Sequence, residues 1–390
     1  MLEKALELCN GCHTCYSLCS KQAIKMVANT EGFLFPQINT ELCIECGLCE
    51  KKCPVLNPIT KENEQTVAYA VINNDEDIRL QSSSGGVFSA IAQDVIKQNG
   101  IVWGAKFDND FNVVHGFTDF IEGLSDFRGS KYVQSAIGDS YKSCKNFLEE
   151  GRQVLFSGTP CQIAGLQSFL GKNYDNLLLV DIICHGVPSP LLWTEYKKNL
   201  EKKFASRMVK TAFRRKDYGW KQYSLAVTFG NASEYCNTLR QDSYLRLFLK
   251  DVCLRESCYN CKYKTAKRIA DITIADFWGI QNEYPELDDD KGTSFVITHS
   301  DKGQKIIDNL SNCIINQIPL EKGVKYNPSY ERSVIRPTER DVFFLDLKKY
   351  SENKLSLEKL VKKYTVDRLF IKRYRFLRRV LRKLKRILTK

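Results

Sequence analysis

Two runs of four cysteines near the start of the chain share one spacing. They hold eight of the sixteen cysteines and read Cys-x2-Cys-x2-Cys-x3-Cys in both copies. Their positions are Cys9, Cys12, Cys15 and Cys19 in the first run and Cys43, Cys46, Cys49 and Cys53, followed by Pro54, in the second. Three thiolates at this spacing bind one side of a 4Fe-4S cluster, and the fourth ligand comes from the other run. The spacing therefore predicts two 4Fe-4S clusters that transfer electrons.

The exchange of the fourth ligand assigns four cysteines to each cluster. The first cysteine set is Cys9, Cys12, Cys15 and Cys53, and the second cysteine set is Cys43, Cys46, Cys49 and Cys19. Structural zinc is the alternative, but it prefers two separated Cys-x2-Cys pairs. We expect no disulfide framework, because the sequence opens without a signal peptide and points to a reducing compartment. Ser20 replaces the proline that usually follows the last cysteine of the motif, whereas the second run keeps Pro54.

Four further cysteines are predicted to bind a third 4Fe-4S cluster. They form the third cysteine set: Cys161, Cys184, Cys258 and Cys261, the last two in a Cys-x2-Cys pair. Zinc, or free thiols that pack as small hydrophobic side chains, are the alternatives that this spacing leaves open. Cys253 is a substitute ligand, and three cysteines are expected to pack singly: Cys144, Cys236 and Cys313.

Three short segments have the composition of a site for an anionic cofactor. Ser83-Ser84-Gly85-Gly86 leads directly into a predicted helix, whose amides can surround a phosphate. Gly158-Thr159-Pro160 follows a predicted strand and places proline at the first helical position. Lys131-Tyr132 adds a cation and an aromatic ring. An ordinary capped turn is the alternative for each segment. Neither glycine loop matches a GxGxxG or Walker sequence, so binding of nicotinamide dinucleotides or nucleoside triphosphates has no support.

The net charge of +12 is concentrated at the C-terminal end. Residues 368–390 hold eleven Lys and Arg and no acid, which leaves 47 basic against 46 acidic residues elsewhere. Apolar residues recur there at helical spacing, so residues 365–390 are predicted to form a basic amphipathic helix. Peripheral contact with an anionic membrane surface is one interpretation, and packing against protein is the other. Nucleic acid is not expected as a partner, because no reader motif accompanies the charge.

Between the two ends, strand-like and helix-like segments alternate. Predicted strands lie at 67–72, 101–107, 154–156, 177–184, 224–229, 271–277 and 294–298, and predicted helices at 86–98, 161–170 and 191–204. This pattern favours the α+β class, with an N-terminal bacterial-type ferredoxin fold, a mixed α/β domain and a basic C-terminal helix. The predicted domains are 1–58, 64–150, 151–345 and 365–390, and a polar linker covers 58–66. No apolar run approaches the roughly 18 residues of a spanning helix, so a cytoplasmic protein is expected.

Six segments, in this order along the chain, resemble the family of coenzyme F420-reducing hydrogenase and dehydrogenase beta subunits. They are SSGGVFSAIA, GSKYVQS, VLFSGTPCQIAGL, VDIICHGVPSP, LRESCYNCKYK and DITIADFWGI. The likeness runs from residue 1 to about residue 300, and an N-terminal ferredoxin module is common in that family.

The resemblance implies a flavin-dependent iron–sulfur oxidoreductase. In such proteins FAD exchanges a hydride with a small substrate, and clusters pass single electrons between the flavin and a partner. The three segments above become FAD contacts, and the third cysteine set becomes the ligands of a flavin-proximal cluster. His185 is a candidate proton donor, although a histidine bonded to its own turn is the alternative. Asp276 and Trp278 match the family but receive no role from it.

Two functions from different classes follow from these observations. In the first, the protein couples a low-potential electron donor or acceptor, such as ferredoxin or a hydrogenase or dehydrogenase subunit, to a small substrate. The substrate is the deazaflavin coenzyme or an intermediate of a biosynthetic pathway, and peripheral attachment at the inner face of the membrane is a further expectation. In the second, the chain is an electron-transfer adapter with no substrate chemistry of its own.

Overall fold

The computed structural model describes residues 2–59, 66–352 and 356–365. Most of the predicted linker 58–66 and of the predicted basic helix 365–390 therefore lies outside the described residues. Within the described residues, no helix is long and apolar enough to cross a membrane.

The N-terminal module is small and carries both cysteine runs. Its elements are α1 (Glu3–Leu6), α2 (Thr14–Leu18), β1 (Ile24–Ala28), β2 (Leu34–Ile38) and α3 (Leu48–Lys51). Strands β1 and β2 pair antiparallel. The two cysteine runs share one backbone shape, because equivalent positions have positive φ: Gly11 and His13 in the first run, Glu45 and Gly47 in the second. Helices α2 and α3 begin directly after the second of these positions, so the module repeats one loop-helix unit twice.

The strands and helices that follow alternate through most of the remaining chain. The strands are β3 (Val67–Asn73), β4 (Ile101–Phe107), β5 (Val113–Thr118), β6 (Val154–Gly158), β7 (Leu177–Ile182), β8 (Met208–Arg215), β9 (Ser224–Phe229), β10 (Glu234–Thr238), β11 (Ile272–Asp276), β12 (Ser294–Thr298) and β13 (Cys313–Ile318). The helices are α4 (Glu76–Gln81), α5 (Val87–Lys97), α6 (Ser140–Glu149), α7 (Pro160–Leu170), α8 (Pro190–Phe204), α9 (Ser243–Phe248), α10 (Ile280–Glu283), α11 (Asp301–Asp308), α12 (Leu320–Val324), α13 (Arg340–Ser351) and α14 (Leu357–Thr365).

Eight of these strands form one mixed sheet in the order β13-β3-β12-β11-β7-β6-β4-β5. Strands β11, β7, β6 and β4 are mutually parallel, and β3 runs in the same direction because it pairs antiparallel with β12, which pairs antiparallel with β11. The carboxyl ends of these five strands therefore meet at one edge of the sheet. In open α/β sheets, ligands bind outside this edge.

Both faces of the sheet are covered, which explains the continuous apolar runs in its central strands. On one face, Val102, Leu155 and Val180 pack with residues of α5 and α11. On the other face, Ile101 and Phe156 pack with residues of α6 and α7. Strands β8, β9 and β10 form a separate antiparallel sheet, whose core also includes residues of α8, α9, α13 and α14.

The predicted mixed α/β character is confirmed, and several predicted strands have the observed bounds. Strands β4, β9 and β12 coincide with the predicted ranges 101–107, 224–229 and 294–298. The predicted strand 177–184 ends at Ile182, which leaves Cys184 in the loop that follows. Strands β1, β2, β5, β8, β10 and β13 were not predicted, because their half-exposed or polar residues lack a clear apolar run.

Candidate functional site

The first cysteine set lies in the interior of the N-terminal module. Burial raises the pKa of the Cys12 thiol to about 12, and the charges of Cys9 and Cys53 raise it as well. Burial also raises the pKa of Cys15, and Cys12, Cys9 and Cys53 contribute again. Mutual electrostatic effects of this kind require proximity, so Cys53 of the second run lies beside three cysteines of the first. A bound metal offsets such shifts, because a coordinating thiol is deprotonated.

The second cysteine set lies closer to the molecular surface. Its four members line one cavity, and Cys46 is exposed to solvent. Cys19 of the first run lies there with three cysteines of the second run, as ligand exchange requires. Leu42, Ile44 and Leu48 are exposed around it.

The third cysteine set also surrounds a single cavity, although its members come from three separated parts of the chain. Cys161 lies in the first turn of α7, Cys184 follows β7, and Cys258 and Cys261 lie in and after a short 3-10 helix. Burial raises the pKa of Cys184 to about 12, and Cys258 and Cys261 raise it further. Cys253, the predicted substitute ligand, does not line this cavity and instead packs fully buried in the core beside β8 and β9.

A 4Fe-4S cluster and a single zinc ion require different arrangements of four thiols. Among the residues that the structure describes, no group of three or more His, Cys, Asp or Glu side chains has the geometry to hold one metal ion. A tetrahedral zinc ion draws four sulfurs to about 2.3 Å from one centre. In a cubane each thiolate binds a different iron corner, so the four sulfurs stand farther apart around a larger space. The four thiols around the third cavity are the predicted ligands of such a cluster.

Arg255 connects the first and third cysteine sets. It is 1% exposed and lines the third cavity. Its guanidinium donates hydrogen bonds to the Cys9 carbonyl at 2.7 Å, the Leu34 carbonyl at 3.0 Å and Gln134 Oε1 at 3.1 Å. Its Cζ lies 4.1 Å from the centre of the Phe35 ring. A single buried cation therefore contacts the loop of one predicted cluster and the cavity of another.

Tyr263 makes a second connection between the same two sets. Its hydroxyl donates to the Pro54 carbonyl at 3.1 Å and accepts from Asn10 Nδ2 at 3.3 Å. Burial raises the pKa of Tyr263, and the thiol charges of Cys12 and Cys161 contribute. Tyr263 also lines the third cavity, so the two sets are near neighbours.

Helix α7 holds the N-terminal module against the sheet. The Thr14 hydroxyl donates to the Gly165 carbonyl at 2.9 Å, and the Ser168 hydroxyl donates to the Lys52 carbonyl at 2.5 Å. A Cβ atom on Gly165 would lie 2.9 Å from Cys12 Cβ, so only glycine permits this approach. The same helix carries Cys161 of the third cysteine set in its first turn. Helix α7 therefore both contacts the first cysteine set and contributes a member of the third.

Two of the three predicted anion-binding segments lie together. Ser83 Oγ donates to Ser130 Oγ at 2.9 Å and accepts from the Ser130 amide at 2.6 Å. Helix α5 has Gly86 at its N-cap with φ 84° and no side-chain cap, so its first amides stay available. Gly85 is packed so closely that an added Cβ would lie 2.4 Å from the Val71 carbonyl oxygen.

Lys131 and Tyr132 are less accessible than their sequence context indicates. Burial lowers the pKa of Lys131 to about 7, and its ammonium contacts the carbonyls of Arg128 and Gly129 at 3.3 Å. One face of the Tyr132 ring is covered by Phe248, with 4.7 Å between ring centres. Phe213 also meets the Tyr132 ring edge-on, with 5.8 Å between ring centres.

The Gly158-Thr159-Pro160 turn lies beside the third cysteine set. Thr159 and Gln162 form a capping box at the start of α7, so the chain itself already caps this helix end. The Thr159 hydroxyl lies 3.1 Å from Cys161 Sγ, and Pro160 lines the third cavity. The turn thus orients Cys161. The backbone amides of this turn are less available to bind a phosphate than the backbone amides at the start of α5.

His185 does not bond to its own turn, which was the alternative to a proton-donor role. Its Nε2 lies 2.5 Å from the Asp251 carboxylate, 66 positions away in sequence. Its ring also meets Phe248 edge-on at 5.3 Å. Phe248 stacks on Tyr132, so this His–carboxylate pair lies one ring away from a predicted flavin contact.

His115 was not singled out from the sequence, although it joins two predicted segments. Its Nε2 donates to the Ser157 carbonyl at 3.1 Å, so Nδ1 accepts from the Ser135 hydroxyl at 2.6 Å. Burial lowers the pKa of His115 to about 4, which keeps the imidazole neutral. A lone histidine in a half-buried strand offers no sequence signal of this role.

Lys216 was also missed, because it stands in a short basic run that is typical of an exposed surface. Its ammonium donates to the Arg79 carbonyl at 2.7 Å and to the Ser84 carbonyl, in the Ser83–Gly86 loop, at 2.8 Å.

Asp276 and Trp278 lie at the same edge of the sheet. Asp276 ends β11 and forms a buried ion pair with Arg214.

The exchange of ligands between the two cysteine runs gives a direct test. Cys19→Ala and Cys46→Ala should remove the same cluster, leave about eight of about twelve irons per chain, and give matching EPR spectra of the reduced protein. Cys15→Ala should remove the other cluster and give a different spectrum. If Cys19→Ala resembles Cys15→Ala, each run binds its own cluster.

Comparisons with known proteins match two parts of the chain. Residues 8–57 match a family model described as a 4Fe-4S dicluster domain, and residues 151–320 match one that describes the C terminus of the beta subunit of coenzyme F420 hydrogenase/dehydrogenase. Four of the six segments that carry the family resemblance lie within residues 151–320, where this match confirms it. A comparison with curated proteins found no match. A chain of the F420-reducing NiFe hydrogenase complex from Methanosarcina barkeri is similar in structure, with 16% identity and a TM-score of 0.42 over 78% of this chain and 92% of that chain.

Proposed function

Because this chain carries a 4Fe-4S dicluster domain and the C-terminal domain of the coenzyme F420 hydrogenase/dehydrogenase beta subunit family, we propose that it is a flavin-dependent iron–sulfur oxidoreductase. The observation that carries the proposal is the third cysteine set, whose four thiols surround one cavity beside the first set. An electron-transfer adapter would need only the two clusters of the N-terminal module. A third set between that module and the carboxyl edge of the sheet favours chemistry at this edge.

The three cysteine sets lie in order from the surface to the interior, with the second set outermost and the first and third sets deeper. The second set has the exposed Cys46, whereas burial raises the pKa of Cys12 in the first set and of Cys161 in the third. Electrons would enter or leave at the second set, where exposed Leu42 and Ile44 offer an apolar contact for a low-potential protein partner. Arg255 and Tyr263 hold the next two sets in contact.

The carboxyl edge of the sheet contains groups that fit FAD. The uncapped start of α5, into which the Ser83–Gly86 loop leads, provides amides, and Lys131 provides a cation for an anionic cofactor. FAD, when bound, converts between hydride transfer and single-electron transfer. His185, held by Asp251, is placed to supply or accept a proton beside this site. The substrate would be small, with the deazaflavin coenzyme or a biosynthetic intermediate as the proposed classes.

The test is the content of iron, acid-labile sulfide and flavin after strictly anaerobic purification. About twelve irons and one FAD per chain support three clusters and the oxidoreductase. About eight irons without flavin, after reconstitution with FAD, would instead assign the chain as an electron-transfer adapter. Bleaching of bound flavin by a substrate separates an enzyme from a flavoprotein that only transfers electrons.

The affinity for FAD is expected to depend on pH, because Lys131 is one of the proposed cofactor contacts. With a pKa lowered to about 7 by burial, Lys131 is charged below pH 7 and loses its proton above it. An anionic cofactor binds the charged form better, so FAD affinity should fall about fivefold between pH 6 and pH 8. Lys131→Arg, whose guanidinium stays charged, should remove most of this dependence. Lys142→Arg, at a half-exposed lysine that pairs with Asp139, is the control, and an identical pH profile in wild type and Lys131→Arg would contradict a role for Lys131.

A further inference from the structure

Arg214 is a buried cation near the end of β8. The residue is 5% exposed, and its Nη1 donates to the Asp276 carboxylate. Its Cζ lies 4.3 Å from the centre of the Tyr223 ring and 5.2 Å from that of Trp278. Burial opposes the charge, but Asp276, Tyr132 and Tyr223 together outweigh this effect and raise the pKa of Arg214 above its usual value. The guanidinium is therefore a permanent cation.

One whole edge of this guanidinium has no acceptor among the described residues. Both Nε and Nη2 are buried without a hydrogen-bond partner, whereas Nη1 is engaged by Asp276. Buried donors are satisfied in native proteins with few exceptions, so each unpaired group needs an explanation. The Nε–H and Nη2–H groups point in parallel, which is the geometry that binds two oxygens of one carboxylate or phosphate.

Arg268 provides a comparison within the same molecule. It is also buried, but only its Nε lacks a partner, because Nη1 donates to Asp181 and Nη2 to the Tyr330 carbonyl. Arg268 therefore has no free pair of parallel donors. We interpret it as a structural residue that links Asp181 to the Tyr330 carbonyl. The pair on Arg214 is not explained by packing alone.

Asp276, which pairs with Arg214, is itself fixed by a second hydrogen bond. Asp276 uses Oδ2 for Arg214 and accepts Trp220 Nε1 on Oδ1 at 3.2 Å. Trp220 stacks on Trp278 with 4.8 Å between ring centres. This arrangement gives Asp276 a positioning role and Trp278 a packing role, both of which the sequence left unassigned.

Arg214 also lies at the edge of the sheet where the proposed cofactor site is located. Asp276 is the last residue of β11, at the carboxyl edge. Lys216, two residues beyond Arg214, donates to the Ser84 carbonyl of the Ser83–Gly86 loop. Tyr132 is close enough to influence Arg214 electrostatically. The free edge of Arg214 thus belongs to the same region as two of the three predicted cofactor segments, Ser83–Gly86 and Lys131-Tyr132.

We propose that the free edge of Arg214 binds an oxyanion, a phosphate or a carboxylate, of the ligand at this site, with Asp276 as the positioning residue. The inference rests on the proposed function only for the identity of the ligand. Two sources share this chemistry: the diphosphate of FAD, and an acidic group of the small substrate.

The test compares wild-type full-length protein, reconstituted with its clusters, with Arg214→Gln and Arg214→Lys. Arg215→Gln is the matched control, because its neighbouring guanidinium pairs at the surface with Asp217 and Glu234. Two measurements are made on each protein. The first is the affinity for FAD, FMN and riboflavin by flavin fluorescence, and the second is the shift in melting temperature with pyrophosphate, inorganic phosphate or acetate.

If the oxyanion is a flavin phosphate, Arg214→Gln should weaken FAD and FMN by about tenfold or more and leave riboflavin unchanged. If it is a substrate group, all three flavins bind normally, and phosphate or acetate stabilises the flavin-loaded wild type but not the variant. Arg214→Lys should lose several-fold in the affected measurement, because lysine lacks the parallel donors. This variant also keeps the test valid if Arg214→Gln does not fold.

Equal flavin affinities and equal anion-induced shifts in Arg214→Gln, Arg214→Lys and the Arg215→Gln control would overturn the proposal. The failure of the proposed function looks different. In that case wild type binds no flavin, yet pyrophosphate still raises its melting temperature and the Arg214 variants lose that shift.

Discussion

Replacement of Cys161 by serine is expected to remove about four of about twelve irons per chain and to leave the EPR signals of the other two clusters in place. The reason is positional, because Cys161 lies in the first turn of α7 and lines the cavity that Cys184, Cys258 and Cys261 complete. With one thiol missing, three ligands from two distant segments remain around the cavity. Iron analysis and EPR of the reduced protein measure this loss without any assay of activity.

Cys253→Ser is the matched control for this prediction. Cys253 lies only five positions before Cys258, is fully buried and does not line the cavity. Its loss should leave the iron content at about twelve. Unchanged iron in Cys161→Ser, or an equal loss in Cys253→Ser, would contradict the assignment of the third cysteine set.

Replacement of Arg255 by methionine is expected to destabilise the contact between the N-terminal module and the rest of the protein by about 3–5 kcal/mol. Methionine fills part of the space but leaves the carbonyls of Cys9 and Leu34 without their donors. It also removes a buried cation that interacts with thiols of the first and third sets, including Cys9 and Cys258. The negative charge that reduction adds to a nearby cluster would then be less stabilised. The midpoint potentials of the clusters at the first and third cysteine sets should therefore become more negative.

Denaturant unfolding followed by tryptophan fluorescence and redox titration followed by EPR measure the two effects. Arg336→Met is the control, because Arg336 forms surface ion pairs with Glu256 and Asp341 that are worth less than about 1 kcal/mol. A stability like that of Arg336→Met would show that Arg255 is not needed for docking. Unchanged potentials would show that its charge does not act on the clusters.

Local spacing explains why the N-terminal module could be read from the sequence. The ligands of each run lie within eleven residues, so the loop that carries them brings three thiols together whatever the rest of the chain does. The apolar runs of β4, β7 and β12 were equally readable, because strands covered on both faces are hydrophobic throughout. The glycine loop before α5 was visible through its composition and its position before a helical pattern.

The partners of individual side chains were not readable in this way. His185 pairs with Asp251, and Arg214 pairs with Asp276, across 66 and 62 positions of sequence. No spacing rule connects such pairs, because their meeting depends on which strands are neighbours and on how loops fold back at the sheet edge. The same holds for Arg255, which reads as a surface arginine until the N-terminal module covers it.

The sequence by itself therefore determined the two-cluster module, the exchange of ligands between its runs as an expectation, the mixed α/β class and the family. These follow from short-range spacing, periodicity and motif order. Only the tertiary structure decided that four cysteines from three segments share a cavity, that this cavity adjoins the first set through Arg255, and that one edge of Arg214 is left free. Those relations arise from the order of strands in the sheet and the packing of one module on the other, which bring together residues that are far apart in the chain.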